Sequence, residues 1–144
     1  MELTMKPYYG TKRIEAVPTE KDGMPGYRVR YPDGYLSWSP KDVFEGAYQP
    51  LDAMSFGHAI VALKTGHKVA RAGWNGKGMF LFLVAGSRFK VNRAPLLGIY
   101  PEGTEIDYHA HIDMKTAQGY IVPWLASQAD MLADDWVIVF KEGA

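Results

Sequence analysis

Apolar residues recur along this chain with two periods, and each period predicts an element. In MSFGHAIVALKTGHK (54–68), Phe56, Ala59, Ile60 and Leu63 fall on one face at helical spacing. Ser55 stands before them as an N-cap, Met54 supplies the outer half of a hydrophobic staple, and Gly66 ends the helix in a left-handed turn. Elsewhere strand patterns dominate. KRIEAV (12–17), YRVRY (27–31) and YLSWS (35–39) read as half-buried strands, while KVAR (68–71), MFLFLV (79–84) and WVIVF (136–140) are short apolar ones. DYHAHIDM (107–114) alternates strictly and predicts one strand, with Tyr108, Ala110, Ile112 and Met114 opposite Asp107, His109, His111 and Asp113. YIVPW (120–124) is extended, and Pro123 keeps it out of a regular central strand.

Turn chemistry punctuates these runs at TEKDGMPG (19–26), PDG (32–34) and AQG (117–119). SPKD (39–42) predicts a helix start, with Ser39 as N-cap, Pro40 in the first helical position and Asp42 reaching back. That helix carries Val43, Phe44 and Ala47 inward and ends near Tyr48. Ser127 caps one short helical turn at 128–132. Residues 86–105 hold two prolines and several glycines and predict a long loop with little regular structure, a kind often functional or interfacial. No strand–helix alternation supports a parallel sheet. The expected fold is α+β: an antiparallel sheet packed with one main amphipathic helix over 54–144, preceded by a small β-hairpin and helix module at 1–50.

Composition narrows the function. The 144 residues carry no cysteine, which removes disulfides, thiolate metal sites and cysteine nucleophiles. Sixteen basic residues balance sixteen acidic ones. That balance argues against a duplex nucleic-acid binder but leaves room for a small anionic ligand. No apolar run approaches a membrane span, and the start MELTMKPYYG lacks the apolar stretch of a secretory signal. Nine tyrosines and four tryptophans supply flat surface for stacking.

Candidate chemistry is sparse. His109 and His111, flanked by Asp107 and Asp113, read as metal ligands or as the solvated face of a sheet, and no further set completes a zinc site. Asp134 and Asp135 are adjacent and read as solvent-facing or capping groups. The turn GWNGKG (73–78) matches neither a P-loop nor a dinucleotide fingerprint. It offers open backbone N–H groups, cations at Lys77 and Arg71, a stacking face at Trp74 and an amide at Asn75. Those parts suit a nucleotide-like ligand, and equally a structural turn with Trp74 packed on a neighbour. Trp124, with Ser127, Gln128 and Asp130 after it, is open to the same two readings; a pair of tryptophans could sandwich a ring.

MSFGHAIVALKTGHKVARAGWNGKGMFLFL and HIDMKTAQGYIVPWLASQADMLADDWVIV resemble the second phage anti-defence family named for the Thoeris system, over residues 54–140. The segment GYRVRYPDGYLSWSPKDVFEGAY is similar to a module found ahead of this domain in longer phage proteins. The resemblance implies a sponge in the host cytoplasm that binds a cyclic ADP-ribose-type signal without cleaving it. It further implies a homo-oligomer, commonly a tetramer, with ligand sites at subunit contacts, and in some members a separate site for cyclic oligonucleotides. Carried onto this sequence, the ligand positions are Trp74, Asn75, Trp124, Ser127, Gln128 and Asp130, with Phe56 and Arg71 beside them. No cofactor or metal is implied. This sequence departs from the pattern at AQGY (117–120) and Ala129, neither of which removes a ligand group.

Two other functions fit the residues. An enzyme degrading the signal would have to use Asp113, Asp130, Asp134 or the histidines. A phage protein-interaction module would account for residues 1–50. On the sponge reading the glycines hold Trp74 outward, so Trp74→Ala is expected to abolish binding while leaving the oligomer and the melting temperature largely intact.

Overall fold

A computed structural model describes residues 2–140. In chain order the elements are β1 (Glu15–Lys21), β2 (Met24–Arg30), β3 (Leu36–Pro40), α1 (Lys41–Ala47), α2 (Phe56–Lys64), β4 (Lys68–Arg71), β5 (Phe80–Val84), β6 (Ser87–Lys90), β7 (Glu105–Tyr108), β8 (His111–Lys115), β9 (Ile121–Pro123), α3 (Gln128–Leu132) and β10 (Trp136–Val139). The fold is α+β, and all named strand pairs are antiparallel. The chain divides into two compact units, one running to Tyr48 and the other starting at Gln49.

In the first unit, β1, β2 and β3 form a three-stranded sheet in that order. TEKDGMPG is mostly strand: only Asp22 and Gly23 turn, both at positive φ (50° and 78°), the backbone of a two-residue hairpin. Helix α1 corrects the capping expectation. Ser39 stays in the ladder opposite Tyr27, so Pro40 becomes the N-cap, and no side chain caps the helix. Seven residues leave room for little inward surface. Phe44 alone turns in, stacked on Tyr27 at 4.1 Å and Tyr48 at 5.0 Å, while Val43 is 64% exposed and Ala47 is exposed.

The second unit is a five-stranded sheet, β10-β4-β5-β8-β9, with α2 packed on it. Helix α2 forms as its pattern predicts. Ser55 accepts from the His58 N–H, and the Gly66 and His67 N–H groups bond Leu63 and Ala62 in a Schellman closure at φ 92° for Gly66. Its face buries Ala59, Ala62 and Leu63 with Val69, Leu81, Met54 and Trp136. The incoming chain is tied to the same core. Gln49 Oε1 accepts from the Ser55 N–H at 2.7 Å and lies 2.9 Å from His58 Nδ1, the Ile138 N–H donates to Leu51 O, and Met54 bridges Trp136.

Two sequence expectations fail here. The long loop over 86–105 contains a hairpin, because β6 and β7 pair from Ser87↔Tyr108 to Lys90↔Glu105. The single strand over 107–114 is broken at His109–Ala110. Its halves join different sheets, β7 with β6 and β8 with β5.

Candidate functional site

The site grows from the ends of β4 and β10, which lie side by side with Arg71 opposite Trp136. Trp136 is fully buried. Around it stand three half-buried rings: Phe56 at 5.4 Å, Trp74 at 5.5 Å and 78°, and Trp124 at 6.1 Å and 84°. Both outer indoles therefore meet the central one edge to face, a favoured aromatic geometry.

Asp130 ties this cluster together. Its Oδ1 accepts from Arg71 at 2.9 Å and lies 3.5 Å from the Trp74 indole nitrogen, its Oδ2 accepts from the Ser127 N–H, and its backbone carbonyl accepts from the Trp136 indole N–H at 2.8 Å. The Ser127 hydroxyl returns a bond from the Asp130 N–H, completing a capping box on α3. Ser127 was expected as this cap. Helix α3 is thus the device that aims Asp130 at both the turn and the core.

The turn itself is held from the other side by Asp135. One oxygen takes Arg71 Nε at 2.9 Å and the other takes the Gly73 N–H at 2.9 Å, while the Ala72 N–H bonds the Asp135 carbonyl. A Cβ on Gly73 would stand 2.8 Å from that carboxylate, so any other residue there would push aside the group that holds the turn. Beyond it, Asn75 and Lys77 are exposed at the tip.

The profile of the Thoeris anti-defense 2-like domain matches residues 54–139. A protein of Bacillus phage SP01 named Thoeris anti-defense 2 is 44% identical over 86 residues, which is 60% of this chain and 94% of that protein. The chain belongs to the Thoeris anti-defense 2-like family. All of the predicted site residues fall inside the matched span, and the first unit falls outside it.

In this Thoeris anti-defense 2-like domain the structure brings Phe56, Arg71, Trp74, Trp124, Ser127 and Asp130 into one cluster, with Asn75 and Gln128 exposed nearby in sequence. It corrects one orientation. Trp74 is not held outward by its glycines; its ring lies half-buried against the core with its N–H side toward Asp130. It also adds two residues that the sequence reading left out of the site. The sequence alone gives Asp135 as a solvent-facing or capping group and Trp136 only as part of a strand. The signal was their position: antiparallel pairing of 68–71 with 136–139 puts both beside Arg71.

The electrostatics of the cluster are those of a locked network. Arg71 is raised above its ordinary value by the hydrogen bonds to Asp135 and then Asp130. Burial pushes Asp130 upward, but hydrogen bonds from Arg71, Ser127 and Trp74 together outweigh it and hold the carboxyl below its usual range. Asp135 is lowered mainly by Arg71. One guanidinium faces two carboxylates, so the base of the turn carries a net negative charge.

The histidines do not assemble. His109 is exposed in the break between β7 and β8, and its carbonyl lies 3.1 Å from His111 Nδ1, while His111 Nε2 lies 3.6 Å from Asp113. Among the described residues no group of three or more His, Asp or Glu is placed to hold a metal, and no helix is long and apolar enough to cross a membrane.

Proposed function

We propose that this protein is a phage anti-defence sponge that binds a cyclic ADP-ribose-type nucleotide in the host cytoplasm and releases it unchanged. The observation that carries the reading is the aromatic cluster of Phe56, Trp74 and Trp124 set around Trp136 beside an exposed Asn75 and an open glycine turn. A base or ribose packs on the half-buried indoles, where stacking contributes ~1–3 kcal/mol per base. Asn75 and Gln128 supply donors and acceptors for its edge. Phosphates are received at Lys77 and the N–H groups at the tip of the turn, beyond Trp74, rather than at Arg71, whose charge is already taken by two carboxylates.

The same network supports binding over turnover. Asp130 and Asp135 are held ionised well below neutrality, whereas a general acid or base works best with a pKa near the operating pH. Neither of the grooves at Thr19–Trp38 and Phe89–Tyr108 reaches Trp74 or Trp124. A site completed by a second subunit, in a homo-oligomer such as a tetramer, fits a cluster that lies outside both grooves. The first unit, which ends at Tyr48, is a separate module on this reading.

The test is to mix the protein with the cyclic ADP-ribose-type signal, remove free ligand, heat-denature the complex and analyse what is released. Stoichiometric release of intact signal is expected. A ring-opened or hydrolysed product, or turnover of excess signal, would overturn the reading. Cyclic oligonucleotides, as ligands of a separate site, are expected to bind without displacing the first ligand.

A further inference from the structure

The first unit lies outside the family match and presents a sheet with two unlike faces. Register places Tyr27 and Val29 on the side covered by α1, where Tyr27 stacks on Phe44 and Val29 is buried. The alternate residues share the other face: Val17, Arg28 and Trp38 in one row, Glu15, Arg30 and Leu36 in the next, and Lys21 at the hairpin end. Among the described residues of the unit, none covers this face. Val17 is 53% and Leu36 46% exposed, and Arg28 and Lys21 are exposed.

Trp38 lies flat on that face. Its indole N–H donates to the Thr19 carbonyl at 3.0 Å, and it spans Gly26, where any side chain would collide with the ring. Lys21 Nζ sits 5.6 Å from the ring centre, and Arg28 is directly opposite Trp38 in register. An indole and a guanidinium thus stand side by side as planar stacking surfaces. Lys21, Arg28 and Arg30 outnumber Glu15, which pairs with Arg30; Glu20 borders the groove but points to the other face by alternation.

We propose that this open face binds single-stranded nucleic acid. A flat ring flanked by cations on an open sheet face is the arrangement such binding uses. Residues two apart on a strand lie ~7 Å apart, so Arg28 and Arg30 can follow successive phosphates of an extended strand. A single small molecule is disfavoured, because the groove is shallow, about 240 Å³, below the ~300–1,000 Å³ of pockets that enclose such ligands. A strand gains its contacts by length instead. The zero net charge of the whole chain fits a modest, salt-sensitive affinity and not tight duplex binding.

The full chain and a fluorescein-labelled 15-nucleotide oligo(dT) test this by anisotropy. Micromolar binding is expected at 50 mM salt, weakening about 18-fold at 200 mM if three phosphates are contacted at a slope of ~0.7 each. Arg28→Glu should weaken it at least tenfold, and Trp38→Leu comparably, with melting curves showing that both variants are folded. Should Trp38→Leu unfold the unit, Arg28→Glu, at an exposed position, decides alone. Absence of binding at 50 mM salt, or equal binding by Arg28→Glu, overturns the proposal. Equal affinity for a 15-residue polyglutamate also overturns it and reassigns the face to an acidic protein segment.

Discussion

The turn at Asp22–Gly23 closes with its own backbone, while the turn that begins at Gly73 is held by a carboxylate 62 residues further along the chain. In the first, two positive-φ residues match the twist of the strands they join, and the paired register does the rest. In the second, only Gly78 has positive φ, and the shape comes from Arg71, Asp135 and Asp130. A turn of the first kind is a property of its dipeptide. A turn of the second kind exists only when β4, β10 and α3 have already assembled, so it reports on the integrity of the whole domain.

The sharpest way to break this contrast is Arg71→Ala. It leaves Asp130 and Asp135 close together, partly buried and without their counter-ion. A loss of about 2–3 kcal/mol is expected by urea unfolding, toward the low end for a broken buried pair because the groups keep some water. Trp74→Ala comes next. Its half-buried ring packs on Trp136, so truncation should cost about 2 kcal/mol, less than the ~3–5 for a fully buried aromatic, and should also abolish ligand binding. A measurable loss of this size replaces the expectation of a largely intact melting temperature, and a melt identical to the parent would return Trp74 to a purely exposed role.

Acid should loosen the second turn before the first. Asp130 and Asp135 have folded-state values below the ordinary carboxylate range, so below their unfolded values, near ~3.9, the unfolded chain binds more protons than the folded one. Their contribution is complete above that range and is lost as pH falls through the folded values. Melting temperature should drop on acidification below about pH 5, and Asp135→Asn should flatten part of the slope. An unchanged slope would show that the carboxylate does not hold the turn. The smallest change expected is Asp22→Asn, within about 0.5 kcal/mol, since asparagine tolerates positive φ at least as well as aspartate.

The same distinction explains what the sequence made legible. Helix α2 and the Ser127 cap were readable because period, cap and closing glycine lie within a few residues of one another. The break at His109–Ala110 was not, since alternation continues across it while the strand partner changes. The β6–β7 hairpin escaped because every β6 residue is exposed and leaves no apolar stripe. Trp74 and Trp124 could be nominated from local context, but the inward turn of Trp74 goes with its distant packing on Trp136, and Asp135 joins the site only through the pairing of β4 with β10.

The family match begins at Met54, yet the folded unit begins at Gln49. The five residues between are not a passive tether. Gln49 supplies a carbonyl oxygen to the first turn of α2, and Leu51 gives β10 a hydrogen-bond partner on its outer edge. A chain cut at the homology border would therefore expose the margin of its own sheet beside Trp136. For this domain, the border of the matched span and the border of the compact unit are different places, and the unit begins five residues earlier.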